Sequence, residues 1–161
     1  MAVLKDNHYD DTQIEMVYDI SSSKFFHPQY AAWIAVDLYF KFGDKFPEIH
    51  IQSHGQEYFE VENFAKQLKS LAEDKIDAVY FEPMEPDYEI TINHSGIGRF
   101  EKQNSYSVTA MIDSVAASGG VYSGKGPSLT MDATREELKA FAERILTELY
   151  KIKRTLSLDF Q

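Results

Sequence analysis

"EIHIQSHGQEYFEVENFAKQLKSLA", residues 48–72, changes its period partway along. "EIHIQS" alternates apolar and polar residues, the pattern of a half-buried strand. From Tyr58 onward the apolar set is Val61, Phe64, Ala65, Leu68, Leu71 and Ala72. Those offsets of three and four draw one stripe along a helix. A strand that runs directly into an amphipathic helix predicts a chain mixing both element types around one core.

The stretches on either side obey the same two periods. Upstream, "QIEMVYDI" places Ile14, Met16, Tyr18 and Ile20 on one face. "YAAWIAVDLYFKF" follows after the loop "SSSKFFHPQ", with Ala32, Ile34, Val36 and Leu38 opposite Trp33, Ala35 and Asp37. Downstream, "IDAVYFE", "YEITINH", "RFEKQNSYSVTAMIDSV" and "PSLTMDA" all read as strands. "SGIG" marks a turn between the second and third of these, and "AASGGVYSGKG" a flexible connection before the last. "TREELKAFAERILTELYKIK" closes the pattern as a second helix, with Leu138, Phe141, Ala142, Ile145, Leu149 and Ile152 in its stripe. Thr134 and Glu137 have the spacing of a capping box. Arg144, Lys151, Lys153 and Arg154 fall toward the helix end, where the dipole favours cations. The predicted order is three strands, helix, four strands, helix, without an internal repeat. The expected fold is α+β: one domain over residues 1–161, a mainly antiparallel sheet packed against two helices.

The chain has 161 residues, enough to bury a core without staples. It carries 26 acidic and 16 basic residues, a formal net charge of −10. Such a surface repels nucleic acid and anionic lipid and attracts cationic partners. Neither nucleic acid nor membrane is expected as a partner. The absence of cysteine excludes disulfides, iron–sulfur clusters and thiolate zinc sites. "MAVLKDNHYDD" lacks the apolar core of a signal peptide, and the longest apolar run, "AAWIAV", is too short to span a bilayer. A cytoplasmic location is the expectation.

"GGVYSGKG", residues 119–126, imitates a phosphate-binding loop. Such a loop needs a Ser or Thr after the Lys to hold magnesium and a helix that starts at once. Gly126 and Pro127 stand there instead, and "SLTMDA" alternates as a strand does. The segment reads as a glycine turn, and no nucleotide cofactor is expected.

His50, His54 and Glu57 would suit zinc on a helix, but strand geometry spreads His50 and His54 along the chain. No metal is expected. Ser21 and Lys24 have the Ser-x-x-Lys spacing of some acyl enzymes, without partner motifs. Trp33, Tyr39, His50 and His94 are the residues that a small-ligand or enzymatic site in the concavity of the sheet would use. The bland reading of those aromatics is core packing.

"FEPMEPDYE" puts Glu82, Glu85, Asp87 and Glu89 within eight residues, with no base among them. Two prolines make this a turn between strands. It reads as a solvated hairpin tip, or more sharply as an acidic knob that docks on a basic partner. The first acidic segment, around Asp10, Asp11 and Glu15, is the alternative face.

"FEPMEPDYEITI", followed about thirty residues later by "YSGKGPSLTMDATREELKAFAERILTEL", resembles the immunity proteins of the WapI type. A preceding helix of the "VENFAKQLKSL" kind fits as well, so that the resemblance runs over roughly residues 30 to 150. It implies a bacterial, non-catalytic inhibitor whose partner is a cognate toxin domain from contact-dependent competition, in many cases a basic nuclease. It supplies no set of binding residues. Glu82, Glu85, Asp87 and Glu89 are therefore taken as partner-binding on charge alone.

Overall fold

The computed structural model describes residues 1–6, 14–20, 33–44, 46–84, 86–95, 105–121 and 123–159, without the side chains of residue 54 and residues 155–159. Strands β1 (Ala2–Lys5), β2 (Ile14–Asp19), β3 (Trp33–Phe42) and β4 (Ile49–Glu57) form one antiparallel sheet in chain order, and helix α1 (Tyr58–Ala72) follows. Strands β5 (Ala78–Phe81), β6 (Tyr88–His94), β7 (Ser105–Ile112) and β8 (Ser128–Thr134) form a second antiparallel sheet, again in chain order. Helix α2 (Arg135–Asp159) comes after it.

The α+β class is as expected, but its layout differs in two respects. The strands divide between two sheets, because α1 carries the chain away from β4 and the ladder restarts at β5. Four strands, not three, precede α1, so the order four strands and a helix occurs twice. The strand unread in the sequence is β1, whose Ala2 and Leu4 are buried while Lys5 pairs with Glu15 at 2.9 Å. Four residues are too few to display a period. The loop at 21–29, most of the turn at 95–98 and the early part of the expected strand at 99–115 lie outside the described residues.

The second sheet buries one face, as the alternation predicts, while the first also buries Val17, Ala35 and Asp37 on its other face. Met16, Tyr18, Ile34, Val36, Leu38 and Phe40 of the first sheet share a hydrophobic cluster with Ile90, Ile92, Val108 and Met131 of the second. Both helical stripes enter it: Val61, Phe64, Ala65, Leu68 and Leu71 from α1, and Leu138, Phe141, Ala142, Ile145 and Leu149 from α2. Burying an aromatic such as Phe141 contributes about 1.5–3 kcal/mol. Lys69 of α1 and Glu143 of α2 face each other at 3.7 Å across the helix pair. Where the sheets approach, the Asp6 carboxylate accepts the Asp132 N–H at 2.9 Å and so satisfies a donor on strand β8.

The capping box is formed. The Thr134 N–H donates to Glu137 Oε2 at 2.7 Å, and the Glu137 N–H returns to Thr134 Oγ1 at 3.2 Å. α2 runs past the predicted end to Asp159, and no base lies in its last turn. Lys151–Arg154 therefore precede the helix end, and the dipole argument made for them fails. Lys151 pairs with Glu148 at 3.0 Å, and the Lys153 ammonium lies 5.8 Å from the centre of the Tyr58 ring. Among the described residues, no helix is long and apolar enough to cross a membrane.

Candidate functional site

The acidic turn links β5 to β6. Val79 and Phe81 point into the core and Tyr80 points out, 57% exposed. Pro83 is buried, Met84 is 57% exposed, and Tyr88 returns the chain to the core. Alternation then turns Glu89 outward on the same face as Tyr80.

The Tyr80 hydroxyl donates to Glu82 Oε2 at 2.7 Å and lies 3.3 Å from Glu89 Oε2. One proton serves the nearer oxygen better, so the phenol acts as a strut between two carboxylates. Its ionisation is pushed well above the ordinary tyrosine range, first by the hydrogen bond to Glu82, then by lost hydration and by the charges of Glu82 and Glu89. Of the four acids singled out in the sequence, the structure brings Glu82 and Glu89 together. Asp87 is half-buried, and its carbonyl accepts the Asp113 N–H at 2.9 Å. Glu85 lies outside the described residues.

Asp113 ties this turn to the β7–β8 loop, a role that the sequence reading missed. Its Oδ1 accepts the N–H groups of Val115 and Ala116, both at 2.9 Å, and caps a short 3-10 turn at Ala116–Ser118. Its Oδ2 accepts the Ser123 N–H at 2.7 Å and the Gly124 N–H at 2.5 Å. The Ser123 hydroxyl adds a further bond at 3.1 Å. The side chain is fully buried. Desolvation opposes its ionisation, but the backbone and hydroxyl donors outweigh that and hold the carboxyl well below the usual carboxylate range.

This arrangement explains the imitation phosphate loop. Backbone N–H groups at Ser123 and Gly124 do cradle an anion, and the anion is the chain's own Asp113. Gly124 adopts φ +64°, which favours glycine. A Cβ on Gly126 would lie 1.8 Å from the Ile112 carbonyl oxygen, so only glycine fits where the loop closes on β7. The sequence signal was available: Asp at a strand end, followed by Ser and Gly, is a composition that bonds its own backbone.

Of the residues weighed for a small-ligand site, Tyr39 and His50 come together, while Trp33 and His94 lie elsewhere. Tyr39 and His50 stack with ring centres 4.1 Å apart on the outer face of the first sheet. There Asp37 Oδ1 lies 3.0 Å from His50 Nε2 and accepts from Gln52 Nε2 at 3.0 Å. An Asp–His pair needs a third, attacking group for nucleophilic catalysis, and Gln52 is an amide that neither attacks nor titrates. Trp33 is half-buried and pairs with Glu57 at the start of β3. His94 belongs to the second sheet, beside Tyr106 and Asp74. The concave sheet faces are filled by the core.

Positions 50 and 54 both stand on β4, and the side chain of residue 54 lies outside the described residues. β4 is a strand through Glu57, with a register irregularity against β3 between the Val36–Ser53 and Ile34–Gln56 pairs; at full extension positions 50 and 54 would lie roughly 13 Å apart. The Glu57 N–H donates to Glu60 Oε2 at 3.0 Å at the start of α1. Among the described residues, no group of three or more His, Asp or Glu side chains could hold a metal ion. Ser21, Lys24, Asp10 and Asp11 lie outside the described residues.

Comparison with known proteins adds three findings. No curated protein sequence matches the chain. Two solved structures resemble it weakly. One, "Structure of a guideRNA-binding protein complex bound to a gRNA", has a TM-score of 0.45 at 4% identity, covering 91% of this chain and 85% of that one. The other, crystal structures of Trypanosoma bruciei MRP1/MRP2, has a TM-score of 0.42 at 10% identity, covering 84% of each. Scores this low do not establish a shared fold. The Immunity protein WapI-like family matches residues 11–153, which takes in every element from β2 to all but the last turns of α2. The chain belongs to the WapI-like immunity protein family.

Proposed function

We propose that the protein is a cytoplasmic bacterial immunity protein that binds a basic toxin domain of contact-dependent competition and neutralises it without catalysis. The observation that carries this reading is the family match over residues 11–153, since membership implies a toxin partner. The net charge of −10 suits a basic partner, which an acidic inhibitor meets quickly by electrostatic steering. Within the chain, the β5–β6 turn is the contact that charge favours. Tyr80 holds Glu82 and Glu89 together before any partner arrives, so docking spends little ordering entropy there.

The test is stopped-flow association with a cognate toxin domain, at two salt concentrations. Replacing Glu82, Asp87 and Glu89 with Ser slows association by about tenfold and flattens its salt dependence. Rates unchanged at both salt concentrations would move the binding face away from this turn.

A further inference from the structure

In the antiparallel order β5-β6-β7-β8, the β5–β6 turn and the β7–β8 loop leave the sheet at the same end. The bond from the Asp113 N–H to the Asp87 carbonyl joins them. Exposed large apolar side chains concentrate there. Among the described residues these are Met1, Phe46, Phe59, Tyr80, Met84, Val115, Val121 and Tyr150, and half of them stand on β5 or on these two connections. Val121 is the extreme case, 84% exposed.

We propose that this end of the second sheet is one docking surface, with Val115, Val121, Met84 and Tyr80 as its apolar centre and Glu82 and Glu89 as its acidic rim. Its occupant is the basic toxin domain of the reading above, on which this inference rests. Apolar centres ringed by charge are the anatomy of protein interfaces. The acids of residues 82–89, with no base among them, favour a partner whose own apolar patch is rimmed by Lys or Arg, and the exposed Lys125 of the β7–β8 loop is the one base described on these two connections. The same acids oppose insertion of the loop into an anionic membrane.

The β7–β8 loop is also prepared for docking. A valine on a wandering loop would lose on ordering what it gains on burial. Here the buried Asp113 carboxylate fixes the backbone on both sides of the tip, through Val115 and Ala116 before it and Ser123 and Gly124 after it. Asp113 is thus a positioning residue, and Val121 the anchor that it presents.

The experiment uses the full chain and a cognate toxin domain, with dissociation followed by surface plasmon resonance. Val121→Ser speeds dissociation about tenfold, while association and its salt dependence stay as in the wild type. Asp113→Asn speeds dissociation as well, although Val121 is intact. Val121 is too exposed for its replacement to unfold the chain, and thermal melting checks that. An unchanged dissociation rate in Val121→Ser, with the wild type binding, overturns this inference and leaves the immunity reading standing. No complex with the wild type overturns both.

Discussion

The hydroxyl oxygens of Tyr18 and Tyr88, seventy residues apart in the chain, lie 3.0 Å from each other in the buried joint between the two sheets. The Tyr18 hydroxyl also donates to Gln56 Oε1 at 2.9 Å. Three strands from two sheets therefore share one polar knot inside an apolar core. Around it pack Phe64 and Phe141, whose ring centres lie 6.0 and 6.4 Å from that of Tyr18. A knot of this kind penalises any mispairing that leaves one hydroxyl alone.

Tyr18→Phe deprives Gln56 and Tyr88 of their shared partner in a site without water access. The expected loss is about 1–3 kcal/mol in urea unfolding. Burial raises the ionisation of both phenols, far above the ordinary value for Tyr88. Their contribution is therefore intact below about pH 10, the unfolded value, and is lost as pH rises above it. The Tyr18→Phe, Tyr88→Phe double variant shows a shallower alkaline decline than the wild type. Some decline remains, because burial also pushes Tyr58 up to about 12.

Asp113 contributes to the acid limb. Its folded-state ionisation lies below the unfolded value of about 3.9, so its stabilisation is complete above that pH and fades as pH falls below it. Asp113→Asn lowers the melting temperature at pH 7 and removes part of the acid-induced loss, which a series of thermal melts from pH 6 down to 3 measures. Equal acid slopes in variant and wild type would contradict the assignment.

Gly126→Ala forces a methyl group against the Ile112 carbonyl, where 1.8 Å is available. The closing pair of the loop, Ile112 N–H to Pro127 carbonyl at 3.0 Å, lies beside it. The expected cost is about 1–3 kcal/mol, read in the same unfolding assay. A neutral result would mean that the loop closes differently.

The sequence disclosed what local periodicity encodes. Helix α1 has the predicted bounds, and the Thr134–Glu137 box marks the start of α2, because a stripe and a cap are written within a few residues. Strand β1 was invisible, since four residues carry no period and its burial depends on β2 and α2. The split into two sheets was equally hidden: alternation shows which face of a strand is buried, not which strand lies beside it. At the candidate site the acids of the β5–β6 turn were legible as charge. The Tyr80 strut and the Asp113 hub were not. The strut joins side chains across a hairpin, and the hub binds backbone groups that every sequence possesses.

Neutralisation of a toxin domain is read out by growth. A cognate toxin domain is expressed in the bacterial cytoplasm with and without this protein, and viable cells are counted. The wild type restores growth in full, while Val121→Ser and the Glu82, Asp87, Glu89 to Ser variant restore it only at higher expression. Growth that stays arrested beside abundant, folded wild-type protein would contradict the account.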